Sequence, residues 1–232
     1  MPSMTLPADA RLRLRISGVS GRVRVIAEPR TDVVVDRGGS AVVTADGAVE
    51  IRAGKASDAV DVRCPAGVDV IIGTRSGSVE LSGRFGTVGI TSQSGSIRVA
   101  AAAEADLRTV SGRVELDECE GRCRVSTTSG RITVGATRDA EISTTSGVVG
   151  VDDVAGAIRV RSVSGTVTVA SLAKGPVNAS TVSGSITIRL PPGARPTVRS
   201  SGRGKVRSSF EAGDDMVVDI ASVSGTVRLV DG

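Results

Sequence analysis

The sequence predicts an all-β chain wound as a single-stranded, right-handed parallel β-solenoid with coils of about 17–19 residues. Three observations carry that prediction. A Ser-Gly dipeptide recurs at a near-constant interval, and apolar residues fall at fixed offsets from it with a period of two. Glycine and β-branched residues are abundant, whereas Phe85 and Phe210 are the only aromatics.

The dipeptide begins at Ser76, Ser94, Ser111, Ser129, Ser146, Ser164, Ser183 and Ser201, in steps of 18, 17, 18, 17, 18, 19 and 18 residues. Another copy begins at Ser224 after 23 residues, and an early one at Ser20 precedes the array. Three residues after the serine stand Val79, Ile97, Val114, Ile132, Val149, Val167, Ile186 and Val227. Five after it stand Leu81, Val99, Leu116, Val134, Val151, Val169, Ile188 and Leu229. Two apolar columns separated by one residue are the inward side of a strand. A second strand precedes the serine. Its columns are Ile90, Leu107, Val125, Ile142, Val160, Ala179 and Ile220, and Val88, Ala105, Cys123, Ala140, Ile158, Val177 and Val218. The Ser-Gly corner joins the two strands on one side. Variable connections such as Ser82-Gly83-Arg84-Phe85-Gly86 join them on the other, and periodicity alone leaves a third short side open.

Glycine suits a corner that needs positive φ, where a Cβ is penalised. Two residues before the serine runs a hydroxyl column: Ser92, Thr109, Thr127, Thr144, Ser162, Thr181 and Ser222. Alternation turns it inward, so its hydroxyls are expected to bond along the axis or to corner backbone. A row of nucleophiles would need a general base, and the chain has no histidine. On the outward side Asp106, Arg124, Glu141 and Arg159, and likewise Glu80, Arg98 and Glu115, alternate in sign from coil to coil. Opposite charges about 5 Å apart help hold register, at roughly 0.2–1 kcal/mol per pair.

A single domain spanning 1–232 is expected, with three parts. Residues 1–72 form irregular coils and a cap, 73–207 the regular repeats, and 208–232 an insertion and the last coil. In the first part, 12–16, 23–25, 33–35, 49–51, 60–62 and 68–72 read as strands. The insertion lies around Phe210 to Asp215. The final strand has almost no chain after it, so Thr226, Val227, Arg228 and Leu229 are the candidate interaction edge. A protein partner or a second copy would pair there.

Composition narrows the function classes. Absent histidine removes the commonest general base and metal ligand, so no catalytic, cofactor-binding or metal residues are assigned. Cys64, Cys119 and Cys123 are an odd count and read as buried thiols. The carboxylates Asp117, Glu118 and Glu120, with Asp152 and Asp153, read as solvated turns, with a weak calcium patch as the alternative. Net charge is +4, from 29 basic and 25 acidic residues. Nucleic-acid binding is disfavoured without stacking aromatics, although Arg199, Arg203, Lys205 and Arg207 form a local basic cluster. The amino-terminal Met1-Pro2-Ser3-Met4-Thr5-Leu6 lacks a basic segment followed by an apolar run, and no stretch is long enough to span a bilayer. The expectation is therefore a cytoplasmic location.

The recurring unit Ser129-Gly130-Arg131-Ile132-Thr133-Val134, with the opening Val19-Ser20-Gly21-Arg22-Val23-Arg24-Val25, resembles the putative-adhesin family of bacterial β-strand-repeat domains of unknown function. The resemblance covers nearly the whole chain and implies a right-handed β-helix without catalytic residues to carry over. Many members of that family look envelope-associated, whereas this chain shows no signal or anchor. The expected function is a non-enzymatic scaffold or protein-interaction module. A polysaccharide-binding or -cleaving β-helix is the first alternative, and a nucleic-acid-associated protein the second.

Overall fold

The computed structural model describes residues 3–5, 12–44, 47–55, 58–171 and 175–232. Met1, Pro2 and Leu6 of the amino-terminal stretch lie outside the described residues. The described chain contains strands and no helix, and it divides into two compact units, Met1–Leu116 and Asp117–Gly232.

The first unit contains β1 (Ser3–Thr5), β2 (Arg13–Val19), β3 (Val23–Glu28), β4 (Asp32–Arg37), β5 (Gly39–Val43), β6 (Val49–Ala53), β7 (Val60–Pro65), β8 (Asp69–Thr74), β9 (Val79–Ser92) and the start of β10 (Ser96–Val154). The predicted columns stack in register. Ile97 and Val99 of β10 oppose Val79 and Leu81 of β9, and Ala105 and Leu107 oppose Val88 and Ile90. All eight are buried. The strands are parallel because each coil repeats the direction of the last.

Coil order departs from chain order at this end. The coil of β2 and β3, turning at Ser20-Gly21, lies between two coils that come later in sequence. Leu14 and Ile16 pair with Val49 and Ile51 on one side and with Val70 and Ile72 on the other. Val23 and Val25 likewise lie between Val60 and Val62 and Val79 and Leu81. The outer coil, β6 and β7, is covered by β5 and β4, both antiparallel to it. The strands that cover this coil thus run against the coil direction. Sequence pattern found β4, but not β5, whose residues Gly39-Ser40-Ala41-Val42-Val43 carry no alternation.

The second unit contains the rest of β10, then β11 (Ile158–Ser171), β12 (Val177–Leu190), β13 (Pro196–Gly202), β14 (Lys205–Ser208), β15 (Met216–Ser222) and β16 (Thr226–Asp231). Val167 and Val169 oppose Val149 and Val151 on one side and Ile186 and Ile188 on the other. All six are buried. From β12 the chain skips a level. β13 and β14 form the outermost coil, and the chain then returns to lay β15 and β16 beneath them, against β12.

A third inward position recurs at the variable connection of described coils. Phe85 and Ala102 occupy it in the first unit, and Cys119, Thr137 and Val154 in the second; all are buried. Register shifts beside it, between Val99 and Ala101 and between Val151 and Val154, mark the bends of a short third side. The position has no sequence signature, because the residues range from Phe to Ala and Thr. Ala102 pairs with Phe85, so the small side chain of one coil sits beside the large one of the next.

The Ser-Gly corners stack glycine on glycine. At Gly112, φ is 133°, and a Cβ there would overlap the Gly95 carbonyl oxygen of the preceding coil. The corner therefore needs glycine for both its conformation and its close approach.

Candidate interaction surfaces

The hydroxyl column is buried throughout, as its alternation predicts. Its bonding changes along the array. Ser92 Oγ, Thr109 Oγ1 and Thr127 Oγ1 each donate to the carbonyl two residues on, at 3.0, 3.1 and 3.0 Å. Thr144 Oγ1, Ser162 Oγ and Thr181 Oγ1 are buried without a partner. The corner glycine φ is 118–139° at Gly95, Gly112 and Gly130, and 142–158° at Gly147, Gly165 and Gly184. Opening of the corner thus accompanies loss of the bond. Thr127→Val is expected to cost about 1 kcal/mol through the lost bond, while Thr144→Val, of nearly the same shape, is expected to be neutral or stabilising. Urea melts of the two variants check this, and equal losses would contradict it.

The outward charges pair in part as their alternation predicts. Arg98 reaches Glu115, with Nε 2.8 Å from Oε2, and Arg124 Nη2 lies 2.8 Å from Glu141 Oε2. The Arg124 hydrogen bond is the first cause holding the Glu141 carboxyl below its ordinary range. Asp106 pairs within its own strand, with Arg108 at 2.7 Å.

The cysteines are free and buried. Burial pushes the Cys64 thiol up to about 12. A hydrogen bond with Cys119, together with burial, holds the Cys123 thiol far above its usual range. Such thiols are poor nucleophiles and poor metal ligands. Glu118, Glu120 and Asp153 border a depression of about 380 Å³ that also takes in Arg138. Among the described residues, no group of three or more acidic, Cys or His side chains is placed to hold a metal ion.

The predicted interaction edge is corrected by the strand pairing. Thr226, Val227, Arg228 and Leu229 pair with Ser185 to Ile188 of β12 on one side. On the other they pair with Lys205 to Ser208 of β14. Val227 and Leu229 are fully buried. The expectation assumed that the last strand in sequence is the last in space, and the return of the chain beneath β13 and β14 breaks that assumption. The Phe210 to Asp215 insertion is the link that makes this return, with Ser209 N donating to the Leu229 carbonyl at 3.2 Å. Two signals in the sequence mark the detour: the 23-residue step, and Pro191-Pro192-Gly193, which ends β12.

Outer strands of the two units differ in chemistry. β13 and β14 carry Arg199, Lys205 and Arg207, with Arg203 between them. That is the charged protection expected of an edge. β5 pairs only with β6 among the described residues and has neither charge nor proline. Its Val42 and Val43 are 40% and 44% exposed. Thr44 N donates inward to the Ala48 carbonyl, so alternation turns the N–H groups of Val43 and Ala41 away from β6.

The second unit also bears a groove of about 540 Å³ on its outward face. One row across it runs Arg159, Asn178, Asp219 and Arg199 in consecutive strands. The adjacent row runs Arg161, Ser180, Ala221 and Ser201. Arg161 lies 3.8 Å from Glu141, which also stands opposite Arg159 in the register, and Arg199 stands opposite Asp219.

Stacked parallel coils with buried apolar columns and glycine corners define an all-β solenoid. The chain belongs to the Toastrack DUF4097 family, whose model matches residues 3–152. Solved structures similar to it include the following three. One from Bacteroides fragilis, described as a putative adhesin, is 12% identical, covers 99% of this chain and 95% of its own, and has a TM-score of 0.41. A second protein so described, from Parabacteroides distasonis, is 13% identical over the same shares, with a TM-score of 0.38. A putative cell adhesion protein from Clostridium sporogenes is 11% identical over 100% and 98%, with a TM-score of 0.25. No curated protein matches the chain. Among the described residues, no helix is long and apolar enough to cross a membrane.

Proposed function

We propose that the protein is a non-enzymatic scaffold that engages a protein partner, or a second copy of itself, by adding a strand to the β5 edge. The observation that carries this reading is the chemistry of that edge: uncharged, free of proline, with two exposed valines and outward N–H groups. Strand addition uses such backbone groups for affinity and alternate side chains for specificity. A second β5 can pair with it antiparallel about a two-fold axis without charge repulsion, which the basic β13–β14 edge would not allow. A reducing compartment such as the cytoplasm suits three free thiols.

Sedimentation velocity over a concentration series tests the reading. Wild type is expected to self-associate, or to be captured by a partner that slows exchange of the Ala41 and Val43 amides. Val42→Lys and Ala41→Pro are each expected to weaken that association at least tenfold with thermal stability nearly unchanged. A monomer at all concentrations, with the Ala41 and Val43 amides exchanging freely in host lysate, would overturn it.

A further inference from the structure

We propose that the groove on the outward face of the second unit binds an acidic polysaccharide through its carboxylate or sulfate groups. The inference goes beyond the scaffold reading and stands independently of the β5 edge.

Charge is distributed unevenly in the second unit. From Val154 to Phe210 the sequence holds nine lysines and arginines and no aspartate or glutamate. Upstream, the outward column neutralises itself, as Arg124 does with Glu141. From Arg159 onward cations outnumber carboxylates, although Arg159 still faces Glu141 and Arg199 faces Asp219 in the register. Arg159 is followed in its row by Asn178, and Arg199 closes the row on the outermost coil. Two exposed guanidinium groups therefore flank the groove. Three strand spacings separate their positions, about 14 Å. A guanidinium fork takes a carboxylate or sulfate through two parallel hydrogen bonds. Arg161, in the neighbouring row, adds a third cation.

The floor between the arginines identifies the rest of the ligand. Asn178 offers an amide, Ser180 and Ser201 offer hydroxyls, and Asp219 offers an acceptor-only carboxylate. These groups suit sugar hydroxyls lying between two anionic substituents. A nucleic-acid strand fits less well, because the groove has no aromatic side chain for a base to stack on. A bilayer surface is too flat to reach the floor of a concave groove.

Isothermal titration calorimetry tests this with five probes: polygalacturonate oligomers, heparin oligosaccharides, neutral dextran, polyglutamate and single-stranded DNA. The first two separate carboxylate from sulfate as the preferred anion. One or both are expected to bind, dextran to give no heat, and affinity to fall with added salt. Arg159→Gln and Arg199→Gln are each expected to weaken binding about tenfold or more, with unchanged thermal melts. Arg131→Gln, outside the groove, should leave binding as it was. Three results would overturn the proposal. These are no binding to either acidic saccharide, equal affinity in the groove variants, or tighter binding of polyglutamate or DNA than of both saccharides.

Discussion

Replacing Ile132 by aspartate should abolish cooperative folding. Ile132 is 1% exposed and sits in the apolar column that faces the interior of the second unit. A carboxylate there would meet neither water nor a partner, and hydrocarbon is all that neighbouring coils present in that column. The cost, by protonation or by opening the coil to water, is about 4 kcal/mol or more. That is a large part of a domain's whole stability. Arg131, one residue earlier, is exposed, and Arg131→Ser should change stability by less than about 1 kcal/mol. Urea denaturation followed by circular dichroism compares the two. A broad, non-cooperative transition is expected for Ile132→Asp and a near-native one for Arg131→Ser. Similar losses in both would mean that inward and outward positions have been exchanged.

A second large effect is expected at Val227. This residue is buried between Ile186 of β12 and Val206 of β14. Proline there removes a ladder donor and places a ring against a neighbouring strand, at about 3 kcal/mol or more. The damage should spread outward, because among the described residues β13 and β14 pair only with β15 and β16. Hydrogen exchange on Val227→Pro should show protection lost over 196–208 as well as 226–231, with β11 retained. Loss confined to 226–231 would show that the outer coil holds by itself.

The inward columns of the regular coils were fully legible in the sequence. Val79 and Leu81, or Val167 and Val169, alternate with polar residues, and the period of two has one structural meaning. The third side was not legible, since a bend holding a single inward residue accepts Phe85, Ala102 or Thr137 and leaves no periodic trace. Coil order at the ends was hidden for a different reason. Alternation tells which way a side chain points, but says nothing about which strand lies next to it. Leu14 and Ile16 look the same in sequence whether their neighbours are 49–51, 70–72 or both. The groove was half visible. Arg199 stood out in a basic cluster, but Arg159 read as one more step in an alternating ladder. Only the pairing of Asn178 with Asp219, residues 41 positions apart, places Arg199 on the same row as Arg159.

The out-of-order ends also govern how the protein would respond to tension. In a stack laid down in chain order, a pull on either end strips the outermost coil first, one ladder at a time. Here a force applied beyond Asp231 enters at β16, which is clasped by β12 and β14 together, so both ladders resist at once. A force entering from the amino-terminal side meets β1 before β2, and β1 pairs only with β4 among the described residues; the double clasp of β2 by β6 and β8 comes after it. At β16, peeling is replaced by withdrawal from between neighbours, a geometry suited to a scaffold that must hold its shape while something pulls on it.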